Sequence, residues 1–138
     1  MPLPIQMFSD SPGYIAIKGQ FINYFINHTS LSPSLLTHIR LMASQEGNYT
    51  YCINWNTQLL TSVLGLSKEQ VAAATKNPRE AALTPEEKAL LLFVQKVVRD
   101  PALTSQEDAD HLKALGWSDQ EIFDATFMGV HGHDVQSL

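Results

Sequence analysis

Leu83-Thr84-Pro85-Glu86-Glu87-Lys88-Ala89-Leu90-Leu91-Leu92-Phe93-Val94-Gln95-Lys96-Val97-Val98-Arg99 carries the clearest fold signal in this 138-residue chain. Thr84 is a helix N-cap, Pro85 fits the first helical position with its fixed φ and missing N–H, and Glu87 completes a capping box. The helix they launch ends near Arg99, before Pro101. Ala89, Leu90, Leu92, Phe93, Val94, Val97 and Val98 cover more than one stripe of it. A helix apolar on two sides is buried on two sides, so this one is either central or shared with a partner subunit.

The same punctuation continues outward. Downstream, Thr104 or Ser105 caps a short helix to about Leu115, and Gly116 stops it. Ser118 and Glu121 then form a second box, with Trp117 placed to staple onto Ile122. The last helix carries Ile122, Phe123, Phe127, Val130, Val135 and Leu138. Upstream, Gly65-Leu66-Ser67 repeats the corner, with Gln70 closing the box and Leu66 facing Val71. A helix from about Tyr51 to Leu64 precedes it, with Leu59, Leu60, Val63 and Leu64 facing one way. Ser32-Pro33 opens a helix to about Glu46, ended by Gly47. From Tyr14 to Asn27, Ile15, Ile17, Phe21, Ile22, Phe25 and Ile26 form one apolar stripe. Met1 to Gly13, with three prolines, reads as an irregular lead-in. No segment alternates as a strand does. The expectation is a single all-α domain over residues 1–138, a bundle of about seven or eight helices joined by short corners.

Composition narrows the function classes. The chain is 44% hydrophobic with net charge -5, and its nine Lys and Arg are scattered. Nucleic acid and anionic membrane both require a concentrated basic face, so neither is an expected partner. The longest apolar run, Ala89 to Val98, is broken by Gln95 and Lys96 and is too short to span a bilayer. Met1 to Phe8 lacks the basic and apolar regions of an export signal. One cysteine, Cys52, excludes an internal disulfide framework and suits a reducing cytoplasm.

The order of these pieces resembles the alkylhydroperoxidase D-like / carboxymuconolactone decarboxylase family. The resemblance rests on Pro33-Ser34-Leu35-Leu36, Tyr51-Cys52, Gly65-Leu66-Ser67, the Leu83 to Leu91 helix start and Gly116-Trp117-Ser118-Asp119-Gln120-Glu121-Ile122. It covers roughly residues 30 to 130. It implies an alkylhydroperoxidase D-like helical bundle related to peroxide-reducing antioxidant enzymes, and a homo-oligomer, commonly a trimer or hexamer. Peroxidatic members carry Cys-x-x-Cys-x-x-x-His at a helix start and a Glu on the helix before. That spacing gathers two thiols and an imidazole on one helical face. The resemblance lays Cys52 on the second cysteine, Tyr49 on the first, Asn56 on the histidine and Thr37 on the glutamate. An intramolecular disulfide cycle is therefore impossible for this chain.

Two readings of Cys52 follow: a one-cysteine redox or nucleophilic centre at a helix start, or a small buried hydrophobe inherited with the fold. His38 is a candidate replacement base. Tyr49, Tyr51, Trp55 and Asn56 suit a cleft for a small organic or peroxide substrate, with aromatic packing at the helix entry as the alternative. In a non-redox enzyme of the decarboxylase branch, acting on a small lactone or acid, His38 or His131 would move the proton; a third possibility is a catalytically inactive binding protein. His131-Gly132-His133-Asp134 offers at most two ligands on one helical face, so no metal is expected, and nothing calls for a cofactor. His28 and His111 are expected to be exposed.

Overall fold

The computed structural model describes residues 12–28 and 30–136. Among them the chain forms seven α-helices and no strand: α1 (Pro12–Ile26), α2 (Pro33–Gly47), α3 (Thr50–Gln58), α4 (Lys68–Lys76), α5 (Pro85–Arg99), α6 (Gln106–Ala114) and α7 (Asp119–Gln136). The expected all-α bundle is what forms. Helix α1 starts at Pro12, so the lead-in is shorter than expected; residues 1–11 and Leu138 lie outside the described set.

Local capping explains most of the corners. Ser32, Ser67, Thr84 and Ser105 each accept from the N–H three residues on, and the last three make full capping boxes with Gln70, Glu87 and Asp108. Ser105, not Thr104, thus caps α6. Ser118 and Glu121 exchange the same pair of bonds at the start of α7. Gly65 and Gly116 take the left-handed conformation (φ 75° and 107°) at their corners. At the end of α2 the left-handed residue is Asn48 (φ 57°), one past the expected stop. Gly47 serves another purpose: a β-carbon there would run into the Tyr49 ring.

The helix read as 51–64 is two pieces. After Gln58 the backbone widens into a π segment, Leu59–Val63. The extra residue per turn breaks the expected stripe: Leu60 is fully buried while Val63 is 71% exposed.

The centre of the bundle is α2, which packs on α3, α5 and α7 together. Leu35, Leu36, Ile39 and Met42 join Leu90, Leu91, Val94, Ala125 and Met128 in the main core. Helix α5 therefore does not take the central place its two apolar faces suggested. Leu90, Leu91 and Val94 are buried, whereas Ala89, Leu92, Phe93, Val97 and Val98 are half-buried. In α1, Phe25 is buried and Phe21 packs on the core, but Ile17 points to solvent. Trp117 packs against the cluster containing Ile122 and donates its indole N–H to the Glu86 carbonyl at 3.1 Å. No helix among the described residues is long and apolar enough to cross a membrane.

Candidate functional site

Cys52 lies in the first turn of α3 and Asn56 one turn later, so both face inward onto α2. Cys52 is 7% exposed and Asn56 fully buried. Burial raises the thiol's pKa, and the neighbouring Ser44 hydroxyl opposes this more weakly. Tyr49, the α3 N-cap, makes no side-chain cap bond.

Arg40, on α2, organises the space between the helices. Its Nε donates to Asn56 Oδ1 at 3.2 Å and its Nη2 to Thr37 Oγ1 at 3.1 Å. Its Nη1 meets the Met128 sulfur at 3.9 Å. Asn56 in turn donates to the Cys52 carbonyl at 2.8 Å, and the Thr37 hydroxyl to the Pro33 carbonyl at 2.7 Å. Thr37 and Asn56, the places of the family's glutamate and histidine in the resemblance, are thus joined by one guanidinium. Burial lowers the Arg40 pKa to about 10, which leaves it cationic at neutral pH.

His38 is placed elsewhere. It lies about 100° round α2 from Thr37. Its Nδ1 pairs with the Ser34 carbonyl at 2.7 Å, and the charge acting on it is Glu87 of α5. Burial lowers its pKa, and its Nε2 is buried without a partner among the described residues. The aromatics also divide. Tyr51 (61% exposed) and Trp55 (45% exposed) sit on the outer side of α3, away from the buried Cys52 and Asn56. The four expected cleft residues thus divide between the surface (Tyr49, Tyr51, Trp55) and the interior (Asn56). Tyr49 does line a cleft of about 400 Å³ between α2, α5 and α7, with Ala43, Ser44, Val97, Val98 and Val130.

A second polar cluster was not foreseen. Asp124 of α7 is buried and accepts from the Tyr24 hydroxyl at 2.6 Å, His28 Nε2 at 2.8 Å and the Gln120 amide at 2.9 Å. His28 Nδ1 accepts the backbone N–H groups of Ser30 and Leu31, so the ring proton sits on Nε2. His28, expected exposed, is therefore a half-buried link between the end of α1 and α7; its sequence signal is the acid Asp124 amid the buried positions Ile122, Ala125 and Met128. His111 is exposed as expected. His131 is exposed and its ring lies 4.6 Å from that of Phe127, while the side chains of His133 and Asp134 lie outside those described. Among the described residues no three His, Cys, Asp or Glu side chains converge as metal ligands.

No protein-family model matches the chain, and no curated protein matches it. The fold is similar to that of an uncharacterized peroxidase-related protein from Silicibacter sp. TM1040, with a TM-score of 0.72 and 20% sequence identity over 88% of this chain and 62% of that one. The chain thus spans about three fifths of that protein's length. At this identity the likeness is one of fold.

Proposed function

We propose that this protein is an alkylhydroperoxidase D-like / carboxymuconolactone decarboxylase family member, related to peroxide-reducing antioxidant enzymes, whose cleft no longer runs a dithiol reaction. The observation that carries the reading is the environment of Cys52. The thiol is buried, its pKa is raised, and Tyr49 stands where a resolving cysteine belongs. A peroxidatic thiol needs the opposite: exposure, a lowered pKa and a base. The acid and imidazole positions are neutral Thr37 and Asn56, both engaged by Arg40. His38, the other candidate base, is tied to the Ser34 carbonyl one turn back along α2. The site's chemistry is that of a fixed cation beside polar acceptors, which binds and orients a ligand without exchanging electrons. The non-redox branch of the family fits this better than a one-cysteine peroxidase. The protein acts as a cytoplasmic homo-oligomer in this reading.

Thiol labelling tests it. Native protein titrated with a chromogenic disulfide between pH 6 and 9 is expected to react at least about tenfold more slowly than the denatured chain, as burial and a raised pKa dictate. Its thiol-dependent consumption of hydrogen peroxide is expected to match the buffer blank. A fast native thiol with a midpoint below neutrality overturns the reading.

A further inference from the structure

We infer that the cleft between α5 and α6 binds a small amphiphilic acid from solution, its apolar body on the second apolar face of α5 and its carboxylate at Arg79. This site is separate from that of Cys52 and goes beyond the reading above.

The first observation is an apolar face that the chain covers only in part. Ala89, Leu92, Phe93 and Lys96 follow one another at intervals of three, one and three residues, so they share one face of α5. The core takes a different face, that of Leu90, Leu91 and Val94. Ala89, Leu92 and Phe93 are half-buried, and Leu92 packs on neither hydrophobic cluster. With the buried Leu112 of α6 they line a cleft of about 370 Å³, a volume within the range of small-molecule sites. Covering such a wall with an apolar group is favourable in proportion to the area removed from water.

The second observation is the charge of the same lining. The chain carries a net charge of -5, yet this cleft is lined by Arg79, Lys96 and His111 against one carboxylate, Asp108. Asp108 is already engaged: its Oδ2 accepts from Lys96 Nζ and from the Ser105 N–H, each at 3.0 Å. Those two charges cancel, which leaves Arg79 in excess. The Arg79 guanidinium makes no hydrogen bond or ion pair among the described residues; only its backbone N–H is held, by Asn77 Oδ1 at 3.1 Å. Arg79 and His111 are exposed while the apolar residues are not, so the cation stands at the rim of an apolar floor. An acid with an apolar body gains from both. A bare oxyanion gains only from the rim, an alcohol only from the floor, and an alkylammonium is repelled.

An NMR titration of the nitrogen-labelled full chain with octanoate, 1-octanol, octylammonium and inorganic phosphate tests this. Octanoate is expected to move the amide resonances of α5 and α6 and to bind about fivefold more tightly than octanol, the scale of one solvent-facing ion pair. Octylammonium and phosphate are expected to bind more weakly than octanoate. Arg79→Gln, which removes a side chain with no bond to the fold, is expected to bring octanoate down to the octanol level. Leu92→Glu puts a like charge on the floor and is expected to abolish the octanoate response; if that variant does not fold, Arg79→Gln decides alone. Equal affinity for octanoate and octanol, or unchanged octanoate affinity in Arg79→Gln, overturns the proposal. Phosphate or octylammonium binding as tightly as octanoate does so too, as do shifts centred outside α5 and α6. If octanoate moves nothing while dilution alone moves these resonances, a second copy covers the face and the proposal falls. None of these readouts depends on thiol reactivity, so a reactive Cys52 would sink the reading above without touching this one.

Discussion

Single side chains decide this protein's chemistry through the partners their burial forces on them. Asp124 illustrates the point. It is a buried carboxylate that accepts from Tyr24, His28 and Gln120, of which the half-buried His28 ring is the donor with least access to water. Asp124→Ala is expected to lower the unfolding free energy by about 1–2 kcal/mol, the cost of its lost hydrogen bonds with the half-buried His28 ring left short of an acceptor, whereas Asp124→Asn keeps an acceptor and loses less. Urea denaturation of the two variants measures the difference. His38 gives a pH signature. Its folded pKa lies below the ordinary 6.5, so the unfolded chain binds the proton more readily. The neutral form's stability is complete above about pH 6.5 and declines as pH falls below it towards the folded pKa. The melting temperature is expected to drop between pH 7 and 5 more steeply in wild type than in His38→Gln; parallel curves would show that His38 does not titrate. At this scale the sequence is a partial guide. The spacing of Cys52 and Asn56 along a helix places both on the buried face, because four residues make nearly a full turn. Arg40 belongs to no motif. Its trace is a cation three residues from Thr37 and four from Ser44, both buried, and only the packing of α3 and α7 onto that face shows that it is enclosed.

Helices and their ends were the most legible level, because capping chemistry is local. Thr84 and Ser67 cap where their boxes place them, and Ser105 takes the cap that the sequence left open between it and Thr104, since each bond joins residues three apart and needs no tertiary partner. Thr84→Ala is expected to cost about 1 kcal/mol, read as a lower urea midpoint with an unchanged slope. Less legible were features set by a neighbouring element. The π segment Leu59–Val63 turns Leu60 into a second small cluster with Leu41 and Val71 while expelling Val63, and no periodicity in the sequence encodes that shift. Gly129 is similar. It lies in the middle of α7, where glycine costs about 1 kcal/mol relative to alanine, yet a β-carbon there would overlap the Val94 side chain of α5. Overpacking of a fully buried contact costs about 1–3 kcal/mol and outweighs the propensity gain. Gly129→Ala is therefore expected to destabilise the fold, and Val94→Ala added to it to restore part of the loss. Additive effects in that double-mutant cycle would refute the contact.

At the scale of the whole molecule, the apolar surface left uncovered is the fact that bears on assembly. The sequence made α5 either central or shared with a partner subunit, and its second apolar face is half-buried in the chain itself. More open apolar groups lie elsewhere, Ile17, Leu103 and Phe123 among them; Tyr51 and Trp55 are neighbours on the outer side of α3, and Val63 follows in the π segment. Two large aromatics one turn apart on an otherwise polar helix are the kind of residue that anchors protein contacts. With a net charge of -5, long-range repulsion between copies is modest, so burial of such a patch is not opposed by a strong field. The homo-oligomer that the family resemblance implies is therefore best sought at α3. Sedimentation velocity is expected to show an assembly larger than a monomer, and Tyr51→Glu with Trp55→Glu to reduce it. Trp55 supplies an internal probe, because the chain's other tryptophan, Trp117, is already half-buried in the core. Its emission is expected to shift to the red on dilution of the wild type, and a Trp55→Phe variant to lose that response. A monomer at all concentrations sinks the assembly. An oligomer with unshifted emission, indifferent to both glutamates, returns the interface to α5.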